Sequence, residues 1–144
     1  MAARLTKVTA AAVVLAAASM SHMASRAAPT LDYDFFKRRV EPVFLQKRPG
    51  LTRCYVCHAE SNNAFRLEKL SPGASAWTDE QSRRNFEMLS KLVNPGAPET
   101  SRLLTHPLAP EAGGNAYHSG GRQFKSKDDP EWRLLAEWIN GKKL

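Results

Sequence analysis

Two cysteines and a histidine stand close together near the middle of the chain, in the segment Cys54-Tyr55-Val56-Cys57-His58. They are the only two cysteines among the 144 residues, so the chain cannot build a disulfide scaffold. Two thiols three positions apart, followed directly by an imidazole, can hold one edge of a flat macrocycle and present a ligand to a metal at its centre. The rest of the chain must then fold around the group that these three side chains bind.

This spacing is that of the C-x-x-C-H haem-attachment motif. In that motif the two thiols reach the two vinyl groups on one edge of the porphyrin, and the histidine approaches the iron from one side. We therefore predict one covalently attached haem c, bound by Cys54 and Cys57, with His58 as an axial iron ligand. A redox-active dithiol, a disulfide between the two cysteines and half of a zinc site are less favoured, because the sequence lacks the βαβ context of thioredoxins and the paired histidines of zinc sites.

A second axial ligand is expected, because haem iron in electron carriers commonly binds a second protein side chain, Met or His. Met88 lies inside a predicted helix, where a methionine is more often part of the core. His106 and His118 lie in a long irregular segment before the last helix, and the Gly120-Gly121 pair allows the backbone beside His118 to approach a porphyrin closely. We predict His118 as the distal ligand, with His106 and Met88 as alternatives.

The first 27 residues have the features of a secretory signal peptide. Arg4 and Lys7 precede an apolar run, and Ala27 completes a small-residue pattern that suits cleavage. The run is about half as long as the ~20 residues needed to span a bilayer, so an uncleaved anchor is the less favoured alternative. Residues 28–144 are then the mature protein, located in the periplasm or secreted. The other three methionines leave with the signal peptide, namely Met1, Met20 and Met23.

Residues 28–144 are predicted to form one all-α domain, since they carry helical periodicity and no sustained alternating pattern of a strand. The first helix is expected over residues 31–46, with Asp32 as its N-cap. Pro42 cannot donate a backbone hydrogen bond, so this helix should kink or restart there. Pro49-Gly50 ends it before the cysteine motif.

Two further helices are marked by their ends. Thr78-Asp79-Glu80-Gln81 is a capping box, and Asn94-Pro95-Gly96 is expected to end the helix that it starts. The last helix is expected to begin at Asp128 or Asp129 and to end at Asn140-Gly141. Residues 97–129, called here the irregular segment, show little periodicity, so they are expected to be either disordered or wrapped around a bound group.

The charge of the chain argues against a nucleic-acid partner. Its formal net charge is +7, but three bases and no acid lie in the first 27 residues, which leaves +4 for residues 28–144. No dense block of Lys and Arg interleaved with aromatic residues occurs. The most basic stretch is interpreted as the solvated face of a helix in preference to a docking patch; it contains Lys37, Arg38, Arg39, Lys47 and Arg48.

Several segments together resemble the small monohaem cytochrome c domains of environmental bacteria, including those of planctomycete type. The resemblance covers nearly all of residues 28–144 and is carried by the helix with Phe36, Val40 and Pro42, the motif 54–58, Phe65-Arg66-Leu67, the segment 94–104 that begins Asn94-Pro95-Gly96-Ala97-Pro98-Glu99, and Trp138-Ile139-Asn140-Gly141. It implies a cytochrome c-like fold whose long loops wrap around one covalently bound haem. Those domains typically have a Met-Pro-Pro segment that supplies a distal Met. This chain has His118-Ser119-Gly120-Gly121 in its place, which supports ligation by two histidines.

These features predict an electron-transfer protein and not an enzyme. The expected function is that of a periplasmic c-type cytochrome that carries one electron and exchanges it with redox partner proteins. One alternative is a haem-bearing subunit of a larger respiratory or extracellular electron-transfer assembly, associated with the membrane. Another is a haem enzyme or gas-binding protein with an open iron site, in which His106 or His118 acts as an acid or base.

Overall fold

The computed structural model describes residues 27–144. The predicted signal peptide, residues 1–27, lies outside the described residues apart from Ala27. Within residues 27–144 the regular elements are helices, and strand-like pairing is limited to two isolated bridges, Arg48 with Leu51 and Leu108 with Phe124. The expectation of an all-α architecture is therefore confirmed for this part of the chain. None of its helices is long and apolar enough to cross a membrane.

The N-terminal helix consists of three consecutive segments: α-helical Tyr33–Phe35, π-helical Phe36–Val40 and α-helical Glu41–Leu45. The Asp32 carboxylate accepts a hydrogen bond of 2.7 Å from the backbone N–H of Phe35, which confirms the predicted N-cap. The wider π turns end where the α-helix restarts, immediately before Pro42. The predicted restart at this proline is therefore confirmed, since the residue cannot join the regular pattern of backbone donors.

The capped helix, Asp79–Ser90, begins with the predicted capping box, in which Thr78 and Gln81 each bond the other's backbone N–H. It ends four residues before the Asn94-Pro95-Gly96 segment that was expected to stop it. The C-terminal helix, Pro130–Ile139, is capped by the Asp129 carboxylate. The N–H of Gly141, which has a φ of +81°, donates to the carbonyl of Trp138 at its end.

The irregular segment is ordered and contains three short helices that its sequence did not reveal, Pro98–Thr100, Arg102–Thr105 and Pro110–Ala112. Each is a single turn, which is too short to produce a periodic pattern. Backbone hydrogen bonds join distant parts of the segment, including Ala109 N–H to Phe124 O at 2.9 Å and Asn115 N–H to Thr105 O at 2.9 Å. Of the two expected states, disorder is thus wrong, and the segment encloses the cavity described below.

The hydrophobic core lies where the N-terminal, capped and C-terminal helices meet. Trp138 is fully buried there, with its ring centre 5.3 Å from that of Phe36 and its indole N–H donating to the Asp32 carbonyl at 3.1 Å. Leu89 of the capped helix is also fully buried. The indole hydrogen bond joins the start of the N-terminal helix to the end of the C-terminal helix, so the two ends of the described chain are held together.

One carboxylate is buried between the N-terminal and capped helices. Glu41 is 6% exposed, and its Oε2 accepts a hydrogen bond of 2.9 Å from the Ser82 hydroxyl, whereas its Oε1 has no partner among the described residues. Burial raises the pKa of Glu41, because the charged form loses its hydration, and the hydrogen bond from Ser82 and the nearby Asn85 side chain only partly oppose this effect.

This buried carboxylate predicts a specific pH dependence of stability. Because the pKa of Glu41 is higher in the folded protein than in the unfolded chain, its contribution favours folding at low pH and is lost as pH rises from about 4.3 through the raised value. Glu41→Gln should therefore gain stability relative to wild type as pH rises. Thermal unfolding of both proteins between pH 4 and pH 8 measures this difference in stability. Any effect of the Gln side chain on packing changes the difference by the same amount at every pH. A difference independent of pH would contradict the prediction, and Glu87→Gln, which removes an exposed carboxylate from the capped helix, serves as the control.

Pro29 lies against two glycines, Gly141 at the end of the C-terminal helix and Gly96 in a turn after the capped helix. A Cβ added at Gly141 would lie 2.6 Å from Cβ of Pro29, and one added at Gly96 would lie 2.9 Å from its Cδ. Both glycines have positive φ. The absence of a side chain at these two positions therefore lets the start of the described chain pack on the main body.

We predict that Gly141→Ala is strongly destabilising. The left-handed backbone alone should cost about 1–2 kcal/mol, and the overlap with Pro29 should add about 1–3 kcal/mol. Gly73→Ala is a matched control, since Gly73 has a similar φ of +76° with open space around it. Denaturant unfolding should show the larger loss at Gly141; equal losses would mean that the contact with Pro29 contributes nothing.

Candidate functional site

A cavity of about 340 Å³ lies beside the cysteine motif. Its walls come from the end of the N-terminal helix, the residues 52–65 around the motif, the irregular segment and the C-terminal helix. The apolar wall consists of Val43, Phe44, Phe65, Leu92, Leu103, Phe124 and Leu135, and the polar groups include Cys54, Cys57, His58, His106, His118 and Gln123. The volume is within the range of cofactor pockets, about 300–1,000 Å³.

The two cysteines lie on the motif helix, Cys54–His58, at the edge of this cavity. Both are free thiols, with Cys54 half-buried and Cys57 exposed. Burial raises the pKa of Cys54, and the nearby Arg48 guanidinium only partly offsets this. The attacking cysteine of a thioredoxin-like dithiol has a lowered pKa. The environment of Cys54 is thus unlike that of a redox-active dithiol, and within residues 27–144 no strand precedes the motif.

His58 is held in one orientation by Phe65. Its Nδ1 lies 2.8 Å from the Phe65 carbonyl oxygen, and since a carbonyl only accepts, Nδ1 carries the proton and donates it. The imidazole also stacks on the Phe65 ring, with centres 3.9 Å apart. Burial lowers the pKa of His58, which favours the neutral form. Nε2 is then left with a free lone pair, as a metal ligand requires.

His118 is held in the same way on the irregular segment. Its Nδ1 lies 2.5 Å from the carbonyl oxygen of Gly121 and donates to it, which leaves Nε2 with the lone pair. Gly120 packs against the imidazole, because a Cβ at this position would lie 3.1 Å from Cε1 of His118. The absence of a side chain at Gly120 therefore allows the backbone to fold closely around the imidazole. The close approach of the glycine pair to a porphyrin stays a prediction.

The two imidazoles fit a shared metal ion. The ring centres of His58 and His118 are 6.3 Å apart and their planes differ by 15°. Face-to-face contact would require a separation of about 3.5–4 Å. Two metal–nitrogen bonds of about 2 Å, with each nitrogen about 1 Å from its own ring centre, place two opposed imidazoles about 6 Å apart. The observed separation matches this value.

The two alternative distal ligands differ in position. His106 also lines the cavity, and its ring centre lies 5.1 Å from that of His118 at an angle of 81°. Its side chain makes no hydrogen bond to another described residue, so nothing orients it as the carbonyls orient His58 and His118. Met88 is half-buried on the capped helix and is not among the cavity residues. The structure thus brings His58, His106 and His118 together and leaves Met88 apart.

The charges of the cavity are all of one sign. Arg53 and Arg102 line it, whereas no carboxylate does, and neither arginine forms an ion pair with a residue in the range 27–144. An anionic group would therefore be stabilised here. No cluster of three or more His, Cys, Asp or Glu side chains among the described residues is arranged to hold a metal ion, which gives no support to the alternative of a zinc site.

Sequence reasoning missed the polar residues behind the distal loop. Gln123 is 5% exposed and hydrogen-bonds backbone groups of two separate loops, and Arg48 links it to Glu131 of the C-terminal helix. The sequence predicts a solvated Arg48 in the basic stretch, and this is wrong, because its side chain is largely buried. No local pattern marks these residues, because Gln123 and Glu131 lie 75 and 83 residues after Arg48 in sequence.

Comparisons of the chain with known protein families, with curated proteins and with solved structures find no match. The functional assignment therefore depends on the motif and on the geometry of this cavity.

Proposed function

We propose that this protein is a monohaem c-type cytochrome with a cytochrome c-like fold, which carries one electron on a haem bound in the cavity. Cys54 and Cys57 would attach the haem covalently, and His58 and His118 would be its axial ligands. The observation that carries the proposal is the pair of nearly parallel imidazoles, 6.3 Å apart, beside two free thiols. A zinc site is not supported by any cluster of three or more His, Cys, Asp or Glu side chains within residues 27–144, and a redox dithiol needs no second imidazole.

The cysteines would bind the haem without any net oxidation. Each thiol adds across one vinyl double bond, so that its sulfur bonds to one carbon and its hydrogen is transferred to the other. The imidazoles would each offer Nε2 to the iron, with Nδ1 fixed by the carbonyls of Phe65 and Gly121. Once bound, the haem supplies the one-electron couple between ferric and ferrous iron.

The remaining cavity residues suit the edges and faces of a porphyrin. The apolar wall, which includes Phe44 and Leu103, would exclude water from its faces. The positive charge of Arg53 and Arg102 would help to stabilise the two propionates, which are the anionic groups of haem. Two imidazole ligands without a thioether predict a lower reduction potential than that of His/Met cytochromes.

The proposed location and partners follow from the sequence. A signal peptide over residues 1–27 would export the chain to the periplasm or beyond, where c-type haem is attached. We propose redox proteins as its partners, with the chain acting either as a free carrier or as the haem-bearing subunit of a larger respiratory or extracellular assembly.

Covalent attachment can be tested directly. The full chain should be produced with a c-type haem maturation system, and denatured protein should be extracted with acidified acetone. We expect the haem to stay with wild type and with Ser119→Ala, which changes an exposed cavity residue. Cys54→Ala/Cys57→Ala should lose all covalently bound haem, as measured by absorbance and by the mass of the polypeptide. Wild-type protein that acquires no covalent haem would contradict the proposal.

The distal ligand can be identified from three single variants. Because the His118 imidazole lies 6.3 Å from that of His58 and its Nε2 keeps the free lone pair, His118→Ala should convert low-spin ferrous iron to a form that binds carbon monoxide rapidly. The double variant His106→Ala/His118→Ala shows whether His106 replaces the lost ligand. His106→Ala and Met88→Leu should keep the low-spin absorption spectrum of wild type. A high-spin spectrum in His106→Ala or Met88→Leu, with an unchanged spectrum in His118→Ala, would show that His118 is not the ligand.

A further inference from the structure

We propose that Gln123 is a positioning residue that fixes the His118 loop against the cysteine motif and so keeps the sixth coordination position of the haem iron closed. This inference rests on the proposed function, because it concerns the distal ligand of that haem. Gln123 itself need not touch the iron. Its role would be to hold the backbone from which His118 extends.

Both polar atoms of the Gln123 amide group make hydrogen bonds. Its Oε1 accepts a hydrogen bond of 2.9 Å from Nη1 of Arg48. Its Nε2 donates to the carbonyl oxygen of Thr52 at 3.1 Å and to that of Gly120 at 2.9 Å. One amide group therefore bridges a carbonyl two residues before Cys54 and a carbonyl two residues after His118.

The bridge is anchored from behind by the C-terminal helix. Arg48 pairs with Glu131, and both side chains are largely buried, with exposed fractions of 12% and 19%. The Arg48 guanidinium also lies 5.2 Å from the ring centre of Phe124. Arg48 is therefore held by the helix and by the ring, and it presents Nη1 to Gln123 in a fixed position. Since the oxygen of Gln123 must face this donor, its amide nitrogen must face the two carbonyls.

The carbonyl of Gly120 connects this bridge to the imidazole. The loop from His118 to Gly121 closes on itself, with Gly121 N–H donating to the His118 carbonyl at 3.0 Å and the imidazole donating to the Gly121 carbonyl. Gly120 lies between, against the imidazole. A shift of Gly120 therefore moves the imidazole as well, and the two hydrogen bonds from Gln123 Nε2, to Gly120 and to Thr52, fix the loop relative to the motif.

Two variants separate positioning from general stability. Gln123→Glu keeps an acceptor for Arg48 but loses the donor, so a carboxylate oxygen would face two carbonyl oxygens and the loop should be released. Gly141→Ala destabilises the protein through its contact with Pro29 and leaves Arg48, Gln123 and Glu131 unchanged, so it serves as the control. Both should lower the melting temperature. In Gln123→Glu alone, the rate of carbon monoxide binding to the ferrous haem should rise by about tenfold or more.

Equal rates of carbon monoxide binding in wild type and Gln123→Glu would overturn the inference. Equally raised rates in both variants would also overturn it, because the faster binding would then result from lower stability and not from release of the loop. If Gln123→Glu does not fold, Gln123→Met has a similar volume and also lacks the donor. Hydrogen exchange of the Gly121 amide provides a readout that needs no haem, and it should accelerate only in the Gln123 variants. Wild-type protein without bound haem would contradict the proposed function, while this exchange measurement would still decide whether Gln123 holds the loop.

Discussion

The hydrogen bonds from Nδ1 of His58 and His118 to two backbone carbonyls are the interactions on which the site depends. Each bond fixes the tautomer of an imidazole and directs its Nε2 lone pair away from the backbone. The carbonyl of Phe65 follows the motif by seven residues, and that of Gly121 follows His118 by three. Each ring is thus oriented by a backbone group close to it in sequence. What remains is to bring the two local units together at the correct distance.

The long irregular segment performs this task without regular secondary structure. It returns across the cavity from the capped helix to the C-terminal helix, and cross-links such as Ala109 N–H to Phe124 O keep it in place. Gln123 then ties its distal loop to the backbone before Cys54. A regular helix could not do this, because its backbone carbonyls bond within the helix and are not free to accept from distant side chains.

Local chemistry explains which parts of the fold could be predicted from sequence. The Asp32 cap, the capping box at Thr78 and the restart at Pro42 depend on neighbours within a few residues, and each is confirmed. The capped helix ends at Ser90, four residues before Asn94, although the apolar Leu92 and Val93 continue the pattern after the helical hydrogen bonds have stopped. The three single-turn helices of the irregular segment left no periodic signal. No sequence pattern marks Glu41 as buried, because only packing against Ser82 places its carboxylate inside the protein.

The sequence by itself determined the chemical groups of this protein. These are two thiols and an imidazole at fixed spacing, two further histidines in the irregular segment, and the residues that cap its helices. These follow from residue identity and from short-range geometry. Only the tertiary structure decided that the rings of His58 and His118 lie nearly parallel and 6.3 Å apart in one cavity, which His106 also lines and Met88 does not. It also decided that Arg48, Gln123 and Glu131 support the distal loop. The physical reason is that these arrangements depend on groups 60 to 83 residues apart, whose meeting is set by the packing of the whole chain.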